Sequence, residues 1–268
     1  MYDYIAGLQK TLIFGKSGGS KLSGFIASLK GASTLFQLHL KDRDSAGKAL
    51  AIVLKAVVKR KKEDNDLLVL GIPRGGVIVA DVIADKLHAD YFNIVIPRKL
   101  RAPDNKENSI GAISQDASIV YLDEFMIQSL KVPPEYIEGE TQEQLKEIER
   151  RTALYRPAAN HRGEYPITPG KTIVVLIDDG IASGATVIAA ARWIRAKYKP
   201  AKLIIAAPVA SNQAIELLKK ESVADVVETV TTPSNFVSVN QFYRDFEQVT
   251  DDKVIEILKK RRVIDVSS

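Results

Sequence analysis

Apolar and polar positions change period several times along the chain, and each change predicts an element. Ala46, Ala49, Leu50, Val53 and Val57 recur at helical spacing behind Asp42 and Asp44, either of which can cap a helix. That helix ends in Lys59-Arg60-Lys61-Lys62, read as a solvated terminus whose cations suit the dipole rather than as a nucleic-acid patch. Leu67-Leu68-Val69-Leu70 is the continuous apolar run of a buried strand, closed by Gly71-Ile72-Pro73-Arg74-Gly75-Gly76. A second helix follows with Val77, Ala80, Val82, Ile83 and Leu87 inside, and then a strand over 91–96 that Pro97 stops. The polar stretch 98–108 has the composition of a mobile loop, and short strands are expected at 110–114 and 118–121. Residues 135–156 form a charged helix with Ile137, Leu145, Ile148 and Leu154 as its apolar members, suited to the surface or a subunit contact. Strands at 172–177, 203–207 and 226–230 alternate with helices at 184–198 and 212–220, and a last helix includes Val254 to Leu258.

Strands alternating with helices predict an α/β fold, a mainly parallel sheet covered on both faces. Such sheets hold ligands at the carboxyl ends of their strands, which points to 71–76, 97–109 and 178–186. Residues 1–35 stand apart as a Gly-, Ser- and Lys-rich N-terminal extension to a domain spanning 36–262, with 263–268 as a tail. Gly15-Lys16-Ser17 invites a P-loop reading, but the glycine that a P-loop needs five residues earlier is Lys10 here.

Composition removes several chemistries. The chain has 268 residues, 38 Lys+Arg against 33 Asp+Glu, three His and no Cys. Without Cys there is no disulfide, thiolate nucleophile or Cys-ligated metal, and the three His form no metal-spacing pair. The net charge of +5 suits anionic partners without choosing among them. Apolar runs fall far short of the ~20 residues of a membrane helix, and the first ten residues lack a signal-peptide pattern. The expectation is a cytoplasmic protein with no membrane or nucleic-acid partner.

The stretch from Ile173 to Thr186 carries the most information. A buried strand runs into Asp178-Asp179, then Gly180-Ile181-Ala182-Ser183-Gly184-Ala185-Thr186, then a helix. Adjacent carboxylates repel, so a compensating reason is needed, and a ribose diol offers two donor hydroxyls. Small residues let a ligand approach the backbone, while Ser183, Thr186 and the helix N-terminus supply donors for a phosphate monoester. An ordinary Asp-capped turn explains one carboxylate, not this series.

This segment resembles the signature of the type I phosphoribosyltransferases, which bind 5-phosphoribosyl 1-pyrophosphate (PRPP). Their pattern is four apolar residues, two acidic residues, a small-residue loop and a final Thr or Ser. Leu68 to Gly76, with Pro73-Arg74-Gly75-Gly76, resembles the family's pyrophosphate loop. Arg98-Lys99-Leu100-Arg101-Ala102-Pro103 with Ile110-Gly111-Ala112-Ile113 resembles its flexible catalytic loop, and Gln241 to Phe246 the stretch near its base-binding hood. The combination is similar to a bacterial and archaeal group whose acceptor is unsettled.

The resemblance implies a Rossmann-like parallel sheet flanked by helices, with a small hood, and a reaction in which a nitrogen nucleophile displaces magnesium pyrophosphate from PRPP. It gives Asp178 and Asp179 the ribose hydroxyls and Gly180, Ile181, Ala182, Ser183, Gly184, Ala185 and Thr186 the 5-phosphate. Pro73, Arg74, Gly75 and Gly76 take the pyrophosphate, with Arg98, Lys99 or Arg101 entering when the loop closes. Phe242, Tyr243 and Phe246 supply either a stacking face for a base or core packing. Mg2+ is expected as cofactor, held mainly through PRPP, with Asp178, Asp179 and Asp245 as candidate contacts. A homodimer is implied as well. Ala182 stands where 6-oxopurine members carry a proton-exchanging aspartate, and Asp179 where uracil members carry Pro. The absence of Cys removes the amidotransferase branch. A PRPP-sensing regulator that binds nucleic acid without turnover is the alternative.

Overall fold

The computed structural model describes residues 40–60, 63–106, 108–159 and 165–266. The extension at 1–35, the Gly15–Ser17 segment, Lys61 and Lys62 lie outside the described residues. Helix α1 (Arg43–Val57) starts at Asp42, whose carboxylate accepts from the Ser45 amide at 2.7 Å while the Ser45 hydroxyl accepts from the Asp42 amide. This reciprocal cap satisfies two otherwise orphaned donors and decides between the two candidate aspartates.

Strands β1 (Leu67–Gly71) and β2 (Tyr91–Ile94) flank helix α2 (Gly75–Leu87). Strands β3 (Arg98–Arg101), β4 (Ser109–Ile113) and β5 (Val120–Leu122) precede a short helix α3 (Glu124–Ser129) and the long helix α4 (Pro134–Tyr155). Strand β6 (Ile173–Ile177), helix α5 (Ala185–Tyr198), strand β7 (Lys202–Val209), helix α6 (Asn212–Lys220) and strand β8 (Val226–Thr231) follow. A 3-10 turn (Val239–Phe242) leads to helix α7 (Asp251–Val266). That helix runs past residue 262 as far as Val266.

The main sheet has five strands in the order β2-β1-β6-β7-β8, all parallel. Because side chains alternate along a strand, the apolar runs feed two cores. Leu67, Val69, Val175, Ile177 and Ile204 pack against α1, α2, α4 and α7. Leu68, Leu70, Val174, Leu176 and Ile205 pack against α5 and α6. The chain's single tryptophan, Trp193, lies in this second core, 1% exposed. No helix among the described residues is long and apolar enough to cross a membrane.

One expectation needs correction. The 98–108 stretch is not a loop throughout: 98–101 is strand β3, antiparallel to β4, which pairs antiparallel with β5 in a separate three-stranded sheet. Leu100 is fully buried and anchors this ribbon. Its polar neighbours are held by α4: Arg98 Nε donates to Gln144 Oε1 at 2.9 Å, and Arg101 Nε to Glu140 Oε1 at 2.7 Å. Helix α4 lies on the surface, as its charge implies, and turns one stripe inward. It buries Glu140, Gln144, Ile148, Arg151 and Tyr155, with polar groups serving the ribbon.

Candidate active site

Strands β1 and β6 are neighbours, with Gly71 opposite Ile177 in register. The chain leaves β1 toward β2 and leaves β6 toward β7, in opposite directions across the sheet. Such a reversal opens a crevice at the carboxyl ends of the two strands. Ile72 donates its amide to the Ile177 carbonyl at 2.8 Å, so the Pro73–Gly76 loop and the Asp178–Thr186 loop diverge from one point.

The two aspartates at that point have different surroundings. Burial of its carboxyl, and then the neighbouring Asp179 charge, push Asp178 well above the ordinary carboxylate range. Its Oδ1 accepts from the Asp179 amide at 2.9 Å. Asp179 instead has a cation: Arg43 Nε donates to its Oδ2 at 2.7 Å. The Tyr243 hydroxyl donates to the Asp179 carbonyl at 2.6 Å.

The glycines of the first loop make this proximity feasible. A Cβ on Gly76 would stand 2.8 Å from the Ile177 carbonyl oxygen and 2.9 Å from Asp178 Cα. Gly75 opens α2, and the peptide bond between Pro73 and Arg74 is cis. Arg74 Nη1 lies 3.9 Å from Asp251 Oδ1. Asp251 also accepts from Arg150 Nη2 at 3.2 Å and from the Tyr155 hydroxyl, which ties the end of α4 and the start of α7 to this loop.

The second loop is pinned at its base. The Ile181 amide donates to the Val209 carbonyl at 2.9 Å, and the Ser211 amide to the Ile181 carbonyl at 2.9 Å. The Ser211 hydroxyl donates to the Ala182 carbonyl at 2.6 Å while accepting from the Ala214 amide to cap α6. Ala182 and Ser183 are exposed at the tip. Gly184, at φ +83°, turns the chain into α5, whose first residues include Ala185 and Thr186. The loop thus has a fixed base and an exposed small-residue tip, and it leads into a helix N-terminus, where backbone amides lack intrahelical partners.

The remaining candidates divide. Arg98 and Arg101 are engaged with α4, and Arg101 also meets Glu143. Lys99 is half-buried on β3, opposite Ala112. Phe242 is 1% exposed and packs on Phe236, with ring centroids 5.2 Å apart. Tyr243 is also buried, and its ring and that of Phe246 lie against the Arg43 guanidinium. Phe242 and Tyr243 are core residues and Phe246 is half-buried against them; Phe242 ends a 3-10 turn, and Tyr243 makes an isolated parallel bridge to Leu40 outside the named strands. Asp245 is exposed on the rim of a cleft of about 560 Å³ bordered by Arg43 and Lys253.

Arg43, Ser211, Tyr155 and Asp251 were not among the expected site residues. Arg43 carried one local signal: a cation in the first turn of a helix opposes the dipole, so its placement calls for a distant anion. Ser211 carried the ordinary signal of a helix cap.

Known proteins resemble the chain in sequence and in fold. A family model described as the phosphoribosyl transferase domain matches residues 44–247. Two Mycobacterium tuberculosis proteins, each named "Putative phosphoribosyl transferase", are 34% identical over 219 residues, 82% of this chain. The match covers 46% of each of them, so the chain spans about half the length of these relatives. The crystal structure of TT1426 from Thermus thermophilus superposes with a TM-score of 0.64 at 33% identity, covering 83% of this chain and 99% of that one. With three quarters of its length inside the matched region, the chain belongs to the phosphoribosyl transferase domain family.

Proposed function

We propose that the protein is a Mg2+-dependent phosphoribosyltransferase. It uses PRPP as donor, passes the 5-phosphoribosyl group to a nucleobase-like or other nitrogen acceptor, and releases pyrophosphate. The observation that carries this reading is the convergence at the ends of β1 and β6. A glycine loop with an arginine and a small-residue loop with two carboxylates leave adjacent strands at the point where the strand order reverses.

In this reading the 5-phosphate sits on the Gly180–Thr186 loop and the N-terminus of α5. Asp178 and Asp179 accept from the ribose hydroxyls, and their negative charge favours the positive ring that develops as the bond to pyrophosphate breaks. The Pro73–Gly76 backbone and Arg74 hold the departing pyrophosphate. Lys99, on β3, would enter when the ribbon closes over the donor and excludes water. Little covalent chemistry falls to the protein, so alignment and electrostatics carry the rate.

Among the described residues no group of three or more His, Cys, Asp or Glu is arranged to cage a metal. Two hard oxygen donors beside a phosphate seat do suit Mg2+, which binds through one or two carboxylates plus substrate oxygens. Bound there through Asp178 or Asp179 and the donor, the metal would draw charge from the leaving pyrophosphate.

Calorimetry with Mg·PRPP tests the donor site. The protein binds, and a variant carrying both Asp178→Asn and Asp179→Asn does not; equal affinity in the two would sink the assignment. A screen of nucleobases and amines for pyrophosphate release then tests turnover. Binding with no release for any acceptor, joined to salt-sensitive RNA or DNA binding, would replace the transferase by a sensor.

A further inference from the structure

Arg43 is the first residue of α1, yet it is 8% exposed and its guanidinium reaches residues far away in the chain. Nε donates to Asp179 Oδ2 at 2.7 Å, and Nη1 donates to the Glu247 carbonyl at 2.8 Å. The guanidinium carbon lies 3.9 Å from the centroid of the Phe246 ring and 5.9 Å from that of Tyr243. Tyr243 in turn donates to the Asp179 carbonyl. Residues 243–247 therefore reach Asp179 by two routes, directly through Tyr243 and indirectly through Arg43.

A buried guanidinium needs a charge partner and satisfied donors, and a helix N-terminus provides neither. Asp179, the Glu247 carbonyl and two aromatic faces meet those needs together. The planar fork of arginine serves all of them at once, which a lysine ammonium cannot do. Gly75 shows how closely the pair is packed: a Cβ there would stand 2.8 Å from Arg43 Nε.

We propose that Arg43 is a positioning residue that fixes Asp179 at the sugar-facing end of β6 and latches residues 243–247 beside the acidic pair. The choice of PRPP as ligand rests on the function proposed above; the latch rests on geometry alone. Two adjacent carboxylates repel each other and any polyanionic donor, and one cation seated on Asp179 weakens both repulsions.

Two measurements on the full chain test this. Hydrogen exchange without ligand follows the latch. Arg43→Gln speeds exchange of amides in 239–249 relative to those of β1 and β6, and Arg43→Lys falls between it and the unsubstituted protein. Unchanged exchange in that segment overturns the latch. Calorimetry with Mg·PRPP follows the positioning. Arg43→Gln and Asp179→Asn each weaken binding about tenfold or more, and the double variant is no weaker than Asp179→Asn alone within about threefold, because the two act as one unit. Losses that multiply across the double variant overturn positioning through Asp179. If Arg43→Gln does not fold, Arg43→Lys carries the same cycle. Failure of the unsubstituted protein to bind Mg·PRPP would overturn the proposed function, while the exchange result still decides the latch.

Discussion

A Cβ on Gly75 would stand 1.8 Å from Asp179 Oδ2, closer than any two such atoms can approach. The Pro73–Gly76 loop and the acidic pair are thus fitted to each other, with no room for a side chain at position 75 unless one of them shifts. Gly75→Ala drives Asp179 off Arg43 or shifts the start of α2. The expected loss is about 1–3 kcal/mol of stability, as for overpacking in a filled interior. Thermal unfolding measures that loss, and calorimetry with Mg·PRPP should show weakened binding. An unaltered melting temperature would mean that the loop gives way more readily than its packing implies.

Asp178 offers the opposite balance. Its carboxyl is held above the ordinary range by burial and by Asp179, so its ionised form is a burden on the fold. Asn keeps the oxygen that accepts from the Asp179 amide and removes the charge. Asp178→Asn is therefore expected to gain about 1 kcal/mol of stability at neutral pH in the absence of Mg2+ and PRPP, while losing PRPP binding. Loss of both stability and binding would show that the carboxylate serves the fold instead.

The fold is legible in the sequence where burial is two-sided. Strands β1 and β6 are covered on both faces, so Leu67–Leu70 and Ile173–Ile177 read as unbroken apolar runs. Strand β3 is not legible, because Arg98-Lys99-Leu100-Arg101 has one apolar residue and its polar partners, Gln144 and Glu140, stand 46 and 39 residues later. The same distinction governs the site. Asp178 and Asp179 announce themselves as neighbours in sequence. Arg43 and Asp179 are 136 residues apart, and only the closed sheet brings them together.

Asp251 joins three groups of unequal need. Tyr155 is 1% exposed, and its hydroxyl donates to Asp251, while Arg150 and Arg74 keep access to water. Asp251→Ala leaves a buried hydroxyl without that acceptor and is expected to destabilise by about 1–3 kcal/mol. Tyr155→Phe removes the donor together with its need and should lose only about 1 kcal/mol. In the double variant the two losses should fall short of their sum, as measured by denaturant unfolding. Additive losses would mean that Asp251 acts on stability mainly through its arginines.

Asp116 sets a pH window that Trp193 can report. Against the upward push of burial, hydrogen bonds from Ser118, Trp193 and Ser114 bring its carboxyl down to about 2. Trp193 Nε1 donates to Asp116 Oδ2 at 2.7 Å. A carboxyl lowered on folding adds stability that is present above its ordinary value of 3.8 and is lost as pH falls toward 2. Since the side chain is 40% exposed, solvent screening reduces the effect to about 1 kcal/mol. Urea unfolding followed by the fluorescence of this single tryptophan should show that decline between roughly pH 4 and pH 2. Asp116→Asn should be less stable than the unsubstituted protein at neutral pH and should flatten this part of the profile. A decline of equal size in the variant would assign the acid sensitivity to other carboxylates, with Glu147, held near 2 first by Arg150, as the next to substitute.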